Sequence, residues 1–106
     1  MHSDRISFDI NRAEVCGQRM RDESARLKRL ASKLQRASEA TGSWWNGDSR
    51  NGFLNRAKEL VSYMNQAGGI VNEMSEDLFA AAAKKRDDEK LMKEEVISII
   101  NLDQEN

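Results

Sequence analysis

The sequence predicts an all-α protein, an antiparallel helix-turn-helix hairpin of two long amphipathic helices. The 106 residues include no proline, which would interrupt a helix, and only six glycines, two of which lie in the central segment. On both sides of that segment, apolar or small residues recur at alternating steps of three and four. A chain of this length fits one domain. We expect a single helical-hairpin domain over residues 1–106, with helix one at about 10–40, a turn at 41–48, helix two at about 49–86, and an apolar and acidic C-terminal tail at 87–106.

Helix one has a start signal and a heptad pattern. Asp9 or Asn11 can cap it, and Asn11 with Glu14 three residues on has the spacing of a reciprocal capping pair. The pattern, interrupted at Glu23, predicts a stripe that faces a neighbouring helix. This row, the α1 seam, consists of Ala13, Cys16, Met20, Leu27, Leu30, Leu34 and Ala37.

A second row, one position further along each heptad, holds only small residues. We call it the small row: Gly17, Ser24, Ala31 and Ser38. Small side chains on one ridge let two helix backbones approach closely, toward the low end of the ~8–10 Å range of interaxial distances. The alternative is that small residues are simply common on an exposed helix flank.

The turn is marked by two glycines. Helix one is expected to end at Thr41-Gly42, where glycine can adopt the left-handed conformation. Asn46-Gly47 provides a second position tolerant of positive φ, and Asp48 or Ser49 can cap helix two. So short a connection makes the helices antiparallel neighbours.

Helix two has a wider apolar stripe than one neighbouring helix can cover, so we expect it to contact something besides helix one. Its main row, the α2 seam, consists of Phe53, Ala57, Leu60, Met64, Ala67, Val71, Met74, Leu78 and Ala81. A parallel row holds Leu54, Val61, Gly68 and Ala82 and is interrupted by Ser75. The residues predicted to form a partner interface are Leu54, Leu60, Val61, Met64, Gly68, Val71, Gly17 and Ala31.

The pair Gly68-Gly69 costs roughly 1 kcal/mol per glycine relative to alanine in a helix interior. Either helix two bends there or a neighbour crosses closely at Gly68. The three-four spacing runs through the pair from Met64 to Val71, which favours a continuous helix over a three-helix fold. Beyond the charged run 84–90, the tail has a compact apolar cluster that either continues helix two or docks on a partner.

Catalytic and metal-binding patterns are lacking in the sequence. His2 is the only histidine, and Cys16, the only cysteine, lies on the α1 seam, where we expect a buried structural thiol. No Cys/His metal spacing and no glycine-rich phosphate loop occur. We therefore expect no enzymatic activity, cofactor, metal or small-molecule ligand. Residues 1–11 hold no apolar block of signal-peptide length, and no apolar run approaches the ~20 residues of a membrane span.

Charge is unevenly distributed although the net charge is −1. Residues 10–40 hold eight basic and four acidic residues, whereas 48–106 hold eight basic and twelve acidic ones. A basic row at steps of seven follows one flank of helix one: Arg12, Arg19, Arg26 and Lys33. This asymmetry favours complementarity within the hairpin or between subunits. The alternative is binding to nucleic acid or to a membrane surface, and the near-zero net charge argues against a general nucleic-acid binder.

The turn also carries two adjacent tryptophans, and leaving an apolar aromatic ring in water forgoes ~2–3 kcal/mol. Trp45-Asn46-Gly47 resembles the W-x-G turn of the small substrates of bacterial type VII (ESX) secretion, the early-secreted-antigen-like proteins. The resemblance includes Ser49, Phe53 and the opening Ile6-Ser7-Phe8-Asp9, and it covers roughly residues 6–83. Trp44 has no counterpart in the motif.

The resemblance implies that the hairpin pairs with a second copy or a paralogue into a four-helix bundle dimer. It also implies export of the folded chain from the bacterial cytoplasm, without a cleaved signal, to the cell surface or medium. Such proteins act as secreted effectors or as escorts, that is, chaperones for larger toxins. Their export signal, an aromatic residue followed four positions later by an acid, is read by the secretion ATPase.

That signal departs from the family pattern here. Tyr63 is followed at the required distance by Ala67, and Phe79 by Ala83. The nearest substitute combines Leu91, Glu95 and Leu102, so either the tail or a partner provides the signal. Two other functions fit the same sequence: a helical partner of a larger LXG-type toxin, and an intracellular coiled-coil adaptor in which the tryptophans only fill the core.

Overall fold

The computed structural model describes residues 8–105, which form two antiparallel helices, α1 (Ile10–Gly42) and α2 (Asp48–Glu105). They pack side by side into a rod of 90 × 26 × 15 Å. The predicted all-α helix-turn-helix hairpin is confirmed. Neither helix, over the described residues, is long and apolar enough to cross a membrane.

Helix α1 begins at Asp9, which is its N-cap. The Asp9 carboxylate accepts a hydrogen bond from the Arg12 N–H at 3.0 Å, and the Asp9 carbonyl accepts one from the Ala13 N–H at 3.0 Å. Of the two predicted caps, Asp9 is therefore the one used, and Asn11 lies inside the helix. Ile6 and Ser7 of the predicted opening motif lie outside the described residues.

The end of α1 differs from the prediction. Gly42 does not adopt the left-handed conformation, since Gly47, at φ 109°, is the residue with positive φ among those described. Gly42 serves for close contact instead. Its carbonyl accepts a hydrogen bond from Arg50 Nε at 2.6 Å, and a Cβ built at Gly42 would lie 3.2 Å from Leu54 Cδ2. The chain reverses at Gly47, where only glycine adopts such a φ without strain.

Helix α2 begins at Asp48, so Gly47, rather than Asp48 or Ser49, precedes its first residue. The Gly47 carbonyl accepts a hydrogen bond from the Arg50 N–H at 3.1 Å. Asp48 lies in the first turn, where a carboxylate interacts favourably with the positive end of the helix dipole.

The small row forms the contact between the helices. Gly17, Ser24, Ala31 and Ser38 are all buried, and the residues buried on α2 are Gly68, Ser75 and Ala82. The Ser24 hydroxyl donates a hydrogen bond to the Gly68 carbonyl at 2.6 Å, which requires close backbones. Close packing through the small row is therefore confirmed. Helix α2 continues through Gly68-Gly69, so the three-helix alternative is wrong.

The α1 seam is not the central contact that its spacing predicted. Ala13 is buried, but Met20, Leu27 and Leu34 are only half-buried, and Cys16, Leu30 and Ala37 are exposed. Because the small row takes the position between the helices, the larger seam residues are displaced to one side of the contact. The prediction that Cys16 is a buried thiol is wrong for this reason.

Helix α2 extends well beyond the end predicted at about residue 86. Arg86 lies level with the start of α1, which it contacts through Glu14. Residues 87–105, here called the overhang, continue the helix with no α1 beside them, and residues 86–104 are all exposed. The tail is thus a helical continuation, one of the two alternatives that the sequence allowed.

Candidate protein-binding face

Two grooves run between the helices near the turn, one on each side of the hairpin. The first is lined by Leu34, Ser38, Phe53, Arg56, Ala57 and Leu60. The second is lined by Gln35, Ser38, Glu39, Leu54, Ala57, Lys58 and Val61. The first groove is mostly apolar, whereas the second carries three charged or amide side chains at its edges. The two sides of the hairpin therefore differ in chemistry.

The apolar side contains both seams and is here called the seam face. Leu34 of the α1 seam and Phe53, Ala57 and Leu60 of the α2 seam line the same groove. On each helix, the seam residues come just before the buried row in the heptad. When two helices are antiparallel, such positions lie on the same side of the pair, so the two seams stay together along the rod. Several large side chains on it are open to solvent, with Leu30 44%, Leu60 50% and Met74 46% exposed. The seam face is thus an apolar surface that the described part of the chain leaves partly exposed.

The turn motif brings three of its predicted residues together. The rings of Trp45 and Phe53 pack with centroids 5.2 Å apart and planes inclined by 42°. Ser49 lines a depression with both rings, together with Gly52 and Arg56. This depression adjoins the seam-face groove, because Phe53 and Arg56 line both. Gly47 provides the reversal, and Trp44, which is 72% exposed, does not join the cluster.

The predicted interface residues divide into three groups. Leu60 lies on the seam face, and Met64 and Val71 occupy half-buried seam positions on the same side. Leu54 and Val61 line the opposite groove. Gly17, Ala31 and Gly68 are buried between α1 and α2, so they belong to the contact within the chain and not to a surface that a second chain could reach.

Near the open end of the hairpin, one aromatic side chain packs in a way that the sequence did not reveal. A Cβ built at Gly17 would lie 3.1 Å from the Phe79 ring, which therefore lies directly on the glycine. The Arg21 guanidinium stacks over the same ring, 4.6 Å from its centroid, in a cation–π contact. Phe79 lies beside Leu78 of the α2 seam, and only its position opposite Gly17 could have indicated this role.

An ion pair closes the same end. Arg86 donates two hydrogen bonds to the Glu14 carboxylate, Nη1 to Oε2 at 2.9 Å and Nη2 to Oε1 at 3.1 Å. The hydrogen bonds from Arg86 lower the pKa of Glu14 below its ordinary value, and the same pair raises the pKa of Arg86. Over the described residues this is the ion pair that joins the helices, because the other two lie within α1 or at its cap.

The predicted basic row lies on the outer flank of α1. Arg12 pairs with Asp9 at 3.6 Å and Arg26 with Glu23 at 3.7 Å, both local contacts. Arg19 and Lys33 are also exposed. Lys33 is three residues from Leu30, so the basic row borders the seam face. The positive charge of the basic row is therefore presented to solvent rather than to α2.

The overhang is an exposed apolar helix. Leu91, Met92, Val96, Ile97, Ile99, Ile100 and Leu102 are each between 49% and 66% exposed. Leu91, Glu95 and Leu102, the predicted export-signal substitute, all lie here in the open. No three His, Cys, Asp or Glu side chains between residues 8 and 105 are grouped as metal ligands.

Comparison of the chain with protein-family models, with curated proteins and with solved structures gives no match. The seam face, the turn aromatics and the overhang are the surfaces on which a function can be proposed.

Proposed function

We propose that this chain is a small substrate of a bacterial type VII (ESX) secretion system that acts by binding another helical hairpin, as a secreted effector or as an escort. The observation that carries the proposal is the seam face, on which both seams lie together and large apolar side chains such as Leu30, Leu60 and Met74 are exposed. A second hairpin laid antiparallel on this face completes a four-helix bundle. The apolar surface of α2 that α1 does not cover is then buried.

The turn supports the same proposal. The W-x-G residues each have a physical role, since Trp45 packs on Phe53 and Gly47 adopts a φ of 109°. Ser49 lies in the depression beside both rings, where a larger side chain would fill the space. The aromatic cluster therefore gives the seam face a defined end, next to which a partner helix can dock.

The occupant of the seam face distinguishes this proposal from its alternatives. A paralogous hairpin or a second copy completes a bundle of two hairpins, whereas an LXG-type toxin would contribute helices from a much larger chain. An intracellular coiled-coil adaptor would use the same face without export. Association and export are therefore measured separately.

Association is tested with Leu60→Asp, which places a charge in the seam-face groove. Ser62→Asp is the matched control, because residue 62 is exposed and its side chain points away from that groove. Sedimentation equilibrium should show the wild type and the control associating alike, and Leu60→Asp dissociating. Equal association of all three proteins would exclude the seam face as the binding surface.

Export is tested in a bacterium with an active ESX system and in the same strain without its secretion ATPase. We expect the tagged chain in the medium only when the ATPase is present, and less of the Leu60→Asp variant there. Retention in the cytoplasm of both strains would contradict the proposal and favour the adaptor. Copurification with a large partner would assign the chain as an escort.

A further inference from the structure

We propose that the overhang of one copy docks into the turn-end groove of the seam face of a second copy, reciprocally, in a homodimer. The inference rests on the proposed function, because it also takes another hairpin as the partner. It adds that the partner is a second copy of this chain, that the overhang is the docking segment, and how the two copies align. The turn-end groove is the one lined by Leu34, Ser38, Phe53, Arg56, Ala57 and Leu60.

Among residues 8–105, no other element packs against the overhang. Its large apolar side chains are about half or more exposed, and α1 does not reach them. The α2 seam continues into the overhang as two rows at steps of seven. One row runs from Leu78 through Lys85 to Met92 and Ile99. The other runs from Ala81 through Asp88 and Glu95 to Leu102. The overhang therefore presents apolar residues on the same side as the seam face, and an exposed apolar surface of this kind marks a protein contact.

Charge selects the part of the second copy that receives the overhang. Residues 87–106 hold seven acidic and two basic residues. The turn half of the hairpin, residues 28–60, holds seven basic and three acidic ones. Two overhangs packed together would repel each other, whereas an overhang beside a turn half is complementary. Arg56 on α2 lines the apolar groove, and on α1 Lys33 directly precedes Leu34, which also lines it.

The length of α2 sets the register. When two α2 helices overlap antiparallel from Asp48 to Glu105, the two-fold axis passes between Glu76 and Asp77. Residue 92 of one copy then lies level with residue 61 of the other, and residue 99 with residue 54. The overhang thus lies along the turn half when the two helices overlap completely. The pairing is self-complementary and closes with two copies.

In this register, the alignment of α1 with α2 within each copy brings Lys33 of the partner subunit near the acidic residues of the overhang. Contacts between Ser24 and Gly68 and between Glu14 and Arg86 fix how α1 aligns with α2. Lys33 of the partner subunit then lies level with about residue 91, between Asp88 and Glu95 of the overhang. Asp88 and Glu95 are both on the flank of the overhang that continues the α2 seam.

The test uses two full-length variants, each with one reversed patch. The overhang variant carries Asp88→Lys and Glu95→Lys, and the groove variant carries Lys33→Glu and Arg56→Glu. Each alone should self-associate at least about tenfold more weakly than the wild type, because like charges then meet at both contacts of the dimer. A 1:1 mixture should associate within about threefold of the wild type, because both contacts of the mixed dimer are again complementary.

Matched controls carry the same changes of charge outside the proposed contact. Asp87→Lys with Glu94→Lys shifts the overhang changes by one residue, which rotates them by about 100°. Lys28→Glu with Lys58→Glu makes the same changes of charge outside the turn-end groove, since Lys58 lines the opposite groove and the stem of Lys28 lies beside Gly68. Both controls should dimerise like the wild type. Overhang docking is wrong if the mixture is no tighter than its components, or if the controls weaken the dimer equally.

The register has a separate readout. In a Cys16→Ser background, spin labels at Asp77→Cys should lie within about 25 Å of each other across the two-fold axis. Pairing centred on the hairpin bodies, with free overhangs, separates the labels by a further ~30 Å along the rod. That longer distance would overturn overhang docking while leaving seam-face pairing intact. A monomeric wild type at millimolar concentration would also overturn it, whereas the ATPase-dependent export of the chain tests the proposed function independently.

Discussion

Ser24 and Gly68 meet where the backbones of the two helices come into contact. The Ser24 hydroxyl donates to the Gly68 carbonyl at 2.6 Å, and a Cβ built at Gly68 would lie 3.3 Å from the Ser24 carbonyl oxygen. Each residue therefore makes room for the backbone of the other. Because Ser24 is buried, this hydrogen bond also satisfies a hydroxyl that would otherwise be left without a partner.

Gly68→Ala should destabilise the hairpin at this contact. The added methyl group meets a backbone oxygen, which moves only if the helices separate. We expect a net loss of about 1–3 kcal/mol in the free energy of unfolding, measured by urea titration.

Gly69→Ala is the matched control for that change. A Cβ at Gly69 meets nothing within 4 Å, so this variant should gain up to about 1 kcal/mol from helix propensity. Equal effects of the two substitutions would show that the helices are not closely packed at Gly68.

The two tryptophans should differ in their contribution to stability. Trp45 is half-buried against Phe53, so Trp45→Ala should reduce the free energy of unfolding by about 1–3 kcal/mol. Trp44 is 72% exposed, and Trp44→Ala should change it by less than about 0.5 kcal/mol. Thermal unfolding followed by circular dichroism measures both. A larger loss from Trp44→Ala would contradict the assignment of Trp45 as the motif residue.

The Glu14–Arg86 pair should give the hairpin a pH-dependent stability. The pKa of Glu14 is lower in the folded chain, so its contribution is present above the ordinary carboxyl pKa and is lost as the pH falls through the folded-state pKa. A double-mutant cycle with Glu14→Gln and Arg86→Gln isolates the coupling. We expect a favourable coupling at pH 7 and none near pH 2, with the pH 7 value decreasing at high salt because the pair is exposed. A coupling unchanged in acid would exclude ionisation of Glu14 as its source.

Cys16 should report occupancy of the seam face. Its thiol is exposed in the hairpin but belongs to the α1 seam, which a partner would cover. A thiol reagent such as Ellman's reagent should modify the native chain readily in dilute solution and more slowly as protein concentration rises. A slow reaction at every concentration would mean that the thiol is buried within the hairpin itself.

The heptad rows, the position of the turn and the continuity of α2 through Gly68-Gly69 could be predicted from the sequence. The identity of the row between the helices could not. Leu27, Leu30 and Leu34 have the larger hydrophobic surfaces, so spacing and hydrophobicity alone favour the seam as the contact. The small row is buried because backbone proximity also contributes, through dispersion and the hydrogen bond between Ser24 and Gly68.

The two glycines of the turn illustrate a second limit. Gly42 and Gly47 are equally able to adopt a positive φ, and the sequence does not distinguish them. Tertiary contacts do, because Leu54 and Arg50 occupy the space beside Gly42 and leave it helical. Likewise, the ion pair of Glu14 and Arg86 joins residues that are far apart in the chain, and the sequence showed only that α1 is basic and the later part acidic.

The unequal length of the two helices has a thermodynamic consequence. Residues 87–105 form a helix against which no other described element packs, and an isolated helix of that length is only marginally stable in water. Amide protons of this segment should therefore exchange with solvent much faster than those near Gly68. The overhang exchanges through local unfolding of the helix, whereas the amides near Gly68 exchange only when the whole hairpin unfolds. A bound partner would slow that exchange selectively, so the deuterium uptake of one segment becomes a direct gauge of how much of the protein is engaged.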